Sequence, residues 1–128
     1  MVAAVAACGD RFLVALRPEG KRHGGCWEFP GGKRRSGEGD REALERELWE
    51  ELRVEVTRVG EVLHSARDPE TPFVVRFVEV EIRGEPAPLE HEAVRWYPPA
   101  RLRELPLAPA DRNFVDSALS EVLKGDSG

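Results

Sequence analysis

EFPGGKRRSGEGDREALERELWEELRV, residues 28 to 54, sets eight acidic side chains in 27 residues, three of them at Glu47, Glu50 and Glu51. From Asp40 to Leu52 every residue is a fair helix former. Gly39 can serve as the N-cap, and Asp40 and Glu42 fall in the first turn, where the helix dipole favours negative charge. The stretch is therefore expected to be a helix. At about 100° per residue, Glu47, Glu50 and Glu51 share an arc of roughly a quarter turn, and Leu44, Leu48 and Leu52 form the stripe beside it. One face packs on a sheet, and the next is a ridge of carboxylates.

A run of charge is ordinarily a solvated helix side. Three features count against that here. Glu47 stands at i,i+3 to Glu50 and i,i+4 to Glu51, spacings at which like charges destabilise a helix. The preceding PGGK offers glycine backbone that a ligand can approach without side-chain obstruction. Carboxylates and carbonyls, with no neighbouring Cys or His ligand, are hard-oxygen chemistry suited to Mg²⁺ or Mn²⁺ rather than zinc. Magnesium held in this way takes its remaining ligands from water and substrate phosphates, which points to phosphoryl chemistry: water attack on a pyrophosphate bond, with a free glutamate taking the proton.

The same stretch resembles the Nudix box, G-x5-E-x7-R-E-U-x-E-E-x-G-U with U bulky and apolar. Gly32, Glu38, Arg46, Glu47, Leu48, Glu50, Glu51 and Val54 fill its positions, and the lead-in WEFPGGK is typical of the MutT-like branch. Arg53 departs from the pattern, standing where the family has its second glycine. That glycine normally ends the helix in a left-handed conformation, which costs a residue with a Cβ about 1 kcal/mol. The resemblance implies that Glu47, Glu50 and Glu51 are Mg²⁺ ligands, with Mn²⁺ able to substitute, and that the Gly31 carbonyl and Glu38 join or support the coordination. It implies that Arg46 orients the glutamates and that the general base is Glu47 or an acid from a later loop. For that acid it singles out Glu90, six residues before Trp96, with Glu92 as the fallback and His91 as a plain loop residue.

Around this stretch the chain reads as one α/β domain. VAAVAAC and RFLVALR form a hairpin about Gly9-Asp10. Val54 to His64 and Phe73 to Ile82 are two further strands, AVRWY is a short strand, and PPARLREL is a helical turn. Ala110 to Lys124 spaces Phe114, Val115, Ala118, Leu119, Val122 and Leu123 as an amphipathic helix. The expectation is an α/β/α sandwich of the Nudix type with a mixed sheet, over residues 1–124, followed by a frayed tail at 125–128. With 128 residues there is room for one core, and a formal charge of −5 argues against binding a nucleic acid polymer through its phosphates. No uninterrupted apolar run is long enough to cross a bilayer, and Cys8 and Cys26 show no metal or disulfide spacing, so a cytoplasmic protein with idle thiols is expected.

For the substrate, the resemblance implies that Arg17 and Lys33 hold phosphates, against the alternative of plain surface residues. Phe29 and Trp27 are candidates for stacking on a base, against the more frequent fate of core packing. Asp111, in LPLAPAD, resembles the position at which MutT-like and CTP-pyrophosphohydrolase-like members contact the base. It either accepts from an amine or N–H of cytosine or an 8-oxo-purine, or caps the final helix. Nudix members acting on ADP-ribose commonly carry an additional region, so the resemblance favours Mg²⁺-dependent hydrolysis of a nucleoside triphosphate to monophosphate and pyrophosphate. Hydrolysis of ADP-ribose or a dinucleoside polyphosphate, and a non-catalytic nucleotide-binding module, are the alternatives.

Overall fold

The computed structural model describes residues 1–119. Strands β1 (Val2–Cys8) and β2 (Arg11–Leu16) form the expected hairpin, with Gly9 supplying the positive φ of 63° that the tight turn needs. Two two-residue strands follow, β3 (Trp27–Glu28) and β4 (Gly31–Gly32), then helix α1 (Asp40–Leu52), at the bounds its composition predicts. The long strands β5 (Glu55–Arg67) and β6 (Val74–Arg83) come next, with β7 (Ala93–Tyr97) and the short helices α2 (Pro99–Glu104) and α3 (Pro109–Ser117) after them.

The strands make one mixed sheet in the order β3-β2-β1-β6-β5, with β4 also paired to β1 and β7 to β2. The β1–β6 pairing is parallel and places Val2 opposite Arg76 and Ala6 opposite Val80. Alternation along β1 distributes its side chains to two cores. Val2, Ala4 and Ala6 pack with Leu44, Leu48 and Leu52 of α1, whereas Ala3 and Val5 pack with Phe77, Leu102 of α2 and Phe114 of α3. A helix thus covers each face, giving the α/β/α sandwich. β4 lies against the start of β1, Val2 opposite Gly32 and Ala3 opposite Gly31. That pairing moors the glycine loop to the sheet beside the acidic helix.

Three sequence expectations change. The last helix was expected to run from Ala110; it begins at Pro109 and its described part ends at Ser117, and the remainder expected to Lys124, with the tail, lies outside the described residues. β5 is longer than expected and carries three irregularities of register against β6. At the end of α1, Arg53 adopts the left-handed conformation itself, φ 57° and ψ 36°. Its N–H donates to the Trp49 carbonyl at 3.0 Å and its guanidinium lies 5.1 Å from the Trp49 ring. The helix therefore ends as a glycine would end it, with the stacked guanidinium offsetting part of the strain.

Candidate active site

The acids of α1 are organised by Arg46. Its guanidinium donates to both oxygens of Glu38, at 2.7 and 2.8 Å, to Glu47 Oε1 at 2.7 Å and to the Lys33 carbonyl at 3.0 Å, and lies 3.5 Å from Glu50. One side chain thereby ties the helix to the glycine loop. Glu38 also accepts the Arg35 N–H at 2.7 Å. The Arg46 hydrogen bonds, with that from Arg35, hold its carboxyl down at about 2. With both oxygens committed, Glu38 stands here as a brace of the loop, and the more exposed Glu50 faces Arg35 at 3.8 Å.

Gly32 has its role written in space. A Cβ there would lie 2.6 Å from the Glu47 carboxyl carbon, and one on Gly31 would lie 2.0 Å from the Val2 carbonyl oxygen. The first glycine admits the acid and the second admits the strand.

Glu51 is buried, 4% exposed. Burial, a hydrogen bond shared with Glu47 and the nearby carboxylates of Glu28, Glu47 and Glu90 push its carboxyl up to about 10. His91 adds to the cluster: its Nε2 is 3.0 Å from Glu28 Oε2 and 3.6 Å from Glu51 Oε2. Glu28, Glu51, Glu90 and His91 line an open cavity of about 460 Å³ with Arg17, Lys21 and Gly31. Four carboxylates crowded about one buried position repel each other unless a proton or a cation lies among them. Oxygen donors of that kind suit a hard divalent ion; Glu51 and Gly31 line this cavity, Glu47 shares a hydrogen bond with Glu51, and the Glu50 carboxylate turns instead to Arg46 and Arg35.

A second cavity, about 290 Å³, adjoins the first; Arg17, Glu28 and Gly31 line both. Its walls include Phe29, Lys33, Phe73, Val75, Ala108, Ala110 and Asp111. Arg17 donates to both oxygens of Glu28, at 3.2 and 3.1 Å, on the boundary between the two. Lys33 Nζ sits 4.6 Å over the Phe73 ring at the rim. Phe29 is 2% exposed and packs edge-on against Phe77 and Phe114, so its ring belongs to the core and is not free to stack on a base. Trp27 packs edge-on against Tyr97.

Asp111 does not cap its helix. Ala108 occupies that position, and Asp111 Oδ1 instead accepts the Phe29 N–H at 2.8 Å across the cavity wall. Burial, with repulsion from Glu28, raises its carboxyl well above the usual carboxylate range. On the rim, His23, Asp68 and Glu70 bring ligand atoms within 4.8 Å of one another, linking two loops away from the box helix.

Glu28 and His91 are the residues that sequence reasoning missed. Glu28 sits inside the quoted stretch, yet its place across from Ala15 depends on a two-residue strand no periodicity reveals. His91 was expected to be a loop residue; its side chain is only 5% exposed and points into the acids. The signal available was its place between Glu90 and Glu92, an imidazole amid acids.

A mixed sheet between helices, with an acid-bearing helix braced to a glycine loop, is the architecture of a Nudix domain, and the family model described as the NUDIX domain matches residues 1–118. The chain belongs to the Nudix family. Within it the chain is a MutT-like hydrolase. It is 37% identical over 123 residues to the CTP pyrophosphohydrolase of Escherichia coli K12, covering 94% of this chain and 90% of that one. Over 49 residues, 38% of this chain and 44% of the relative, it is 45% identical to the 8-oxo-dGTP diphosphatase of Proteus vulgaris. The crystal structure of the MutT Nudix hydrolase from Burkholderia pseudomallei superposes with a TM-score of 0.73 at 28% identity, covering 90% of this chain and 93% of that one.

Proposed function

We propose that the protein hydrolyses a nucleoside triphosphate to the monophosphate and pyrophosphate with Mg²⁺ as cofactor. The observation that carries this reading is the pair of adjoining cavities, one largely apolar and one walled by acids, which meet at Arg17, Glu28 and Gly31. A nucleotide has the same division, a flat apolar base at one end and an anionic phosphate chain at the other. The names of the relatives, which act on CTP and on 8-oxo-dGTP, support a triphosphate.

Glu47, Glu50 and Glu51, with the Gly31 carbonyl, would hold the metal ion, and Arg46 would keep Glu47 and Glu50 in place. When bound, the ion supplies charge neutralisation for the phosphate chain and lowers the pKa of a water. Glu47 or Glu90 takes the proton from the attacking water as its oxygen bonds to the β-phosphorus. The bond from that phosphorus to the α–β bridging oxygen breaks, the bridging oxygen departs with the nucleoside monophosphate, and pyrophosphate carries the oxygen of the water. Lys33 and Arg17, when Arg17 releases Glu28, offer cationic groups to the phosphates at the boundary.

In the base cavity, the raised carboxyl of Asp111 alters what it can recognise. Protonated, it keeps Oδ1 on the Phe29 N–H and offers an O–H donor from the other oxygen. That suits a ring nitrogen or carbonyl acceptor, which cytosine and 8-oxo-guanine both display, rather than an amine. Free thiols at Cys8 and Cys26, and the lack of any helix long and apolar enough to cross a membrane among the described residues, suit a cytoplasmic nucleotide-pool enzyme.

The test is product chromatography after incubation with Mg²⁺ and a panel of standard (d)NTPs, 8-oxo-dGTP, 5-hydroxy-dCTP, ADP-ribose and Ap4A. Monophosphate and pyrophosphate from a triphosphate is the expected result. Turnover of ADP-ribose or Ap4A alone would overturn the substrate, and no turnover at all would favour a binding module.

A further inference from the structure

The loop from β6 to β7 docks on the end of α1 through backbone bonds: the Ala87 N–H donates to the Leu52 carbonyl at 3.0 Å and the Leu89 N–H to the Glu51 carbonyl at 3.1 Å. Beyond it, the Glu92 N–H donates to the Leu16 carbonyl of β2 at 2.9 Å. Between these anchors two adjacent side chains part. Glu90 is exposed and lines the acid-walled cavity, while His91 turns inward and is 5% exposed.

The buried imidazole is not there for packing alone. Its Nδ1 is buried without a partner, a cost that a leucine or phenylalanine in that place would avoid. Its Nε2 reaches Glu28 at 3.0 Å and Glu51 at 3.6 Å, carboxylates carried by β3 and α1. These two acids repel each other, and neither the two-residue strand nor the helix fixes the position of the other's side chain. His91 joins them to the loop that carries Glu90.

We propose that His91 is a positioning residue for the cation site. Its Nε2–H donates to Glu28 and holds the Glu28 and Glu51 carboxylates at a set separation. Its buried ring pins the loop so that Glu90 is presented to the same cavity. Partners that orient metal-binding carboxylates from outside the coordination shell typically account for 10–100-fold in metal affinity. The proposal rests on the reading of the box acids as cation ligands.

The test uses the whole chain and three substitutions. Gln can return a donor to the place of Nε2; Asn carries its donor nearer the backbone, short of Glu28; Leu fills the volume with no donor. Mn²⁺ binding without substrate is followed by electron paramagnetic resonance, alongside melting of the cation-free proteins and the Mg²⁺ concentration giving half-maximal turnover. H91L and H91N should bind Mn²⁺ about 10–100-fold more weakly than the native chain and need correspondingly more Mg²⁺, with H91Q recovering most of the loss. Undiminished Mn²⁺ binding by H91L, or by H91N should H91L not fold, would overturn the proposal. So would an H91Q that folds yet binds as weakly as H91L and H91N, since the ring rather than the hydrogen bond would then matter. Failure of the native chain itself to bind Mn²⁺ would instead sink the cation site, and the proposal with it.

Discussion

Replacing Glu51 with glutamine should make the cation-free protein more stable at neutral pH, although it removes an acid from the centre of the site. With its carboxyl raised to about 10 against an ordinary value of 4.5, the folded chain keeps a proton that the unfolded chain has released throughout that interval. The sign is therefore that stability falls as pH rises from about 4.5 towards 10, by about 1.4 kcal/mol per unit. At pH 7 native Glu51 has cost the fold about 3 kcal/mol relative to acid pH. Glutamine keeps the size, stays neutral and does not titrate. Urea unfolding in EDTA at pH 5, 6, 7 and 8 should show the advantage of E51Q growing by about 4 kcal/mol across the series. Added Mg²⁺ should reverse the order at pH 7, since a ligand at about 1,000 times its Kd stabilises by about 4.1 kcal/mol and glutamine binds it poorly. Parallel pH profiles for the two proteins in EDTA would mean that Glu51 does not hold the proton, and would refute the reasoning.

Three other outcomes follow from the geometry. Gly32→Ala should leave the melting temperature nearly unchanged while cutting kcat at least tenfold, because its Cβ displaces only the Glu47 carboxyl; Gly31→Ala, aimed at the Val2 carbonyl, should lower the melting temperature in the same calorimetry. Arg53→Gly should raise stability in urea unfolding by up to about 1 kcal/mol with turnover retained, because it relieves a left-handed residue and leaves every acid in place. Asp111→Asn keeps the acceptor for the Phe29 N–H and removes a carboxyl whose raised value costs stability as pH climbs above 3.8, so it should lose less stability than the native chain between pH 5 and 8 in cation-free urea titrations.

The box helix was legible because its information is local: helix formers from Asp40, a cap at Gly39 and leucines at helical spacing fix its bounds and its inward face. The spaced acids were legible for the same reason, whereas the Gly32 backbone, expected to admit a ligand, is seen only in the fold to admit the Glu47 carboxyl. Arg53 was legible as a departure but not as a left-handed residue stacked on Trp49, since only the three-dimensional helix end shows the compensation. Glu28, His91 and the environment of Asp111 were not legible. Each takes its character from a partner far along the chain, 63 residues apart for Glu28 with His91 and 82 for Phe29 with Asp111. Long-range pairing set by a mixed sheet leaves no periodic trace in one sequence. Phe29 shows the converse: its neighbours in sequence suggest a ligand, and its neighbours in space make it core.

The two halves of the site are founded on opposite faces of the sheet. The acids stand on a helix rooted in the core of Leu44, Leu48 and Leu52, and the cavity proposed for the base rests on that of Phe29, Phe77 and Phe114. Drift in one core can therefore proceed without disturbing the other. A lineage can reshape the pocket proposed to select the nucleotide, residue by residue, while the acids proposed for hydrolysis on the far side of the strands stay intact. Damage should divide in the same way, with lesions around Phe114 surfacing as lost discrimination and lesions around Leu48 as lost turnover.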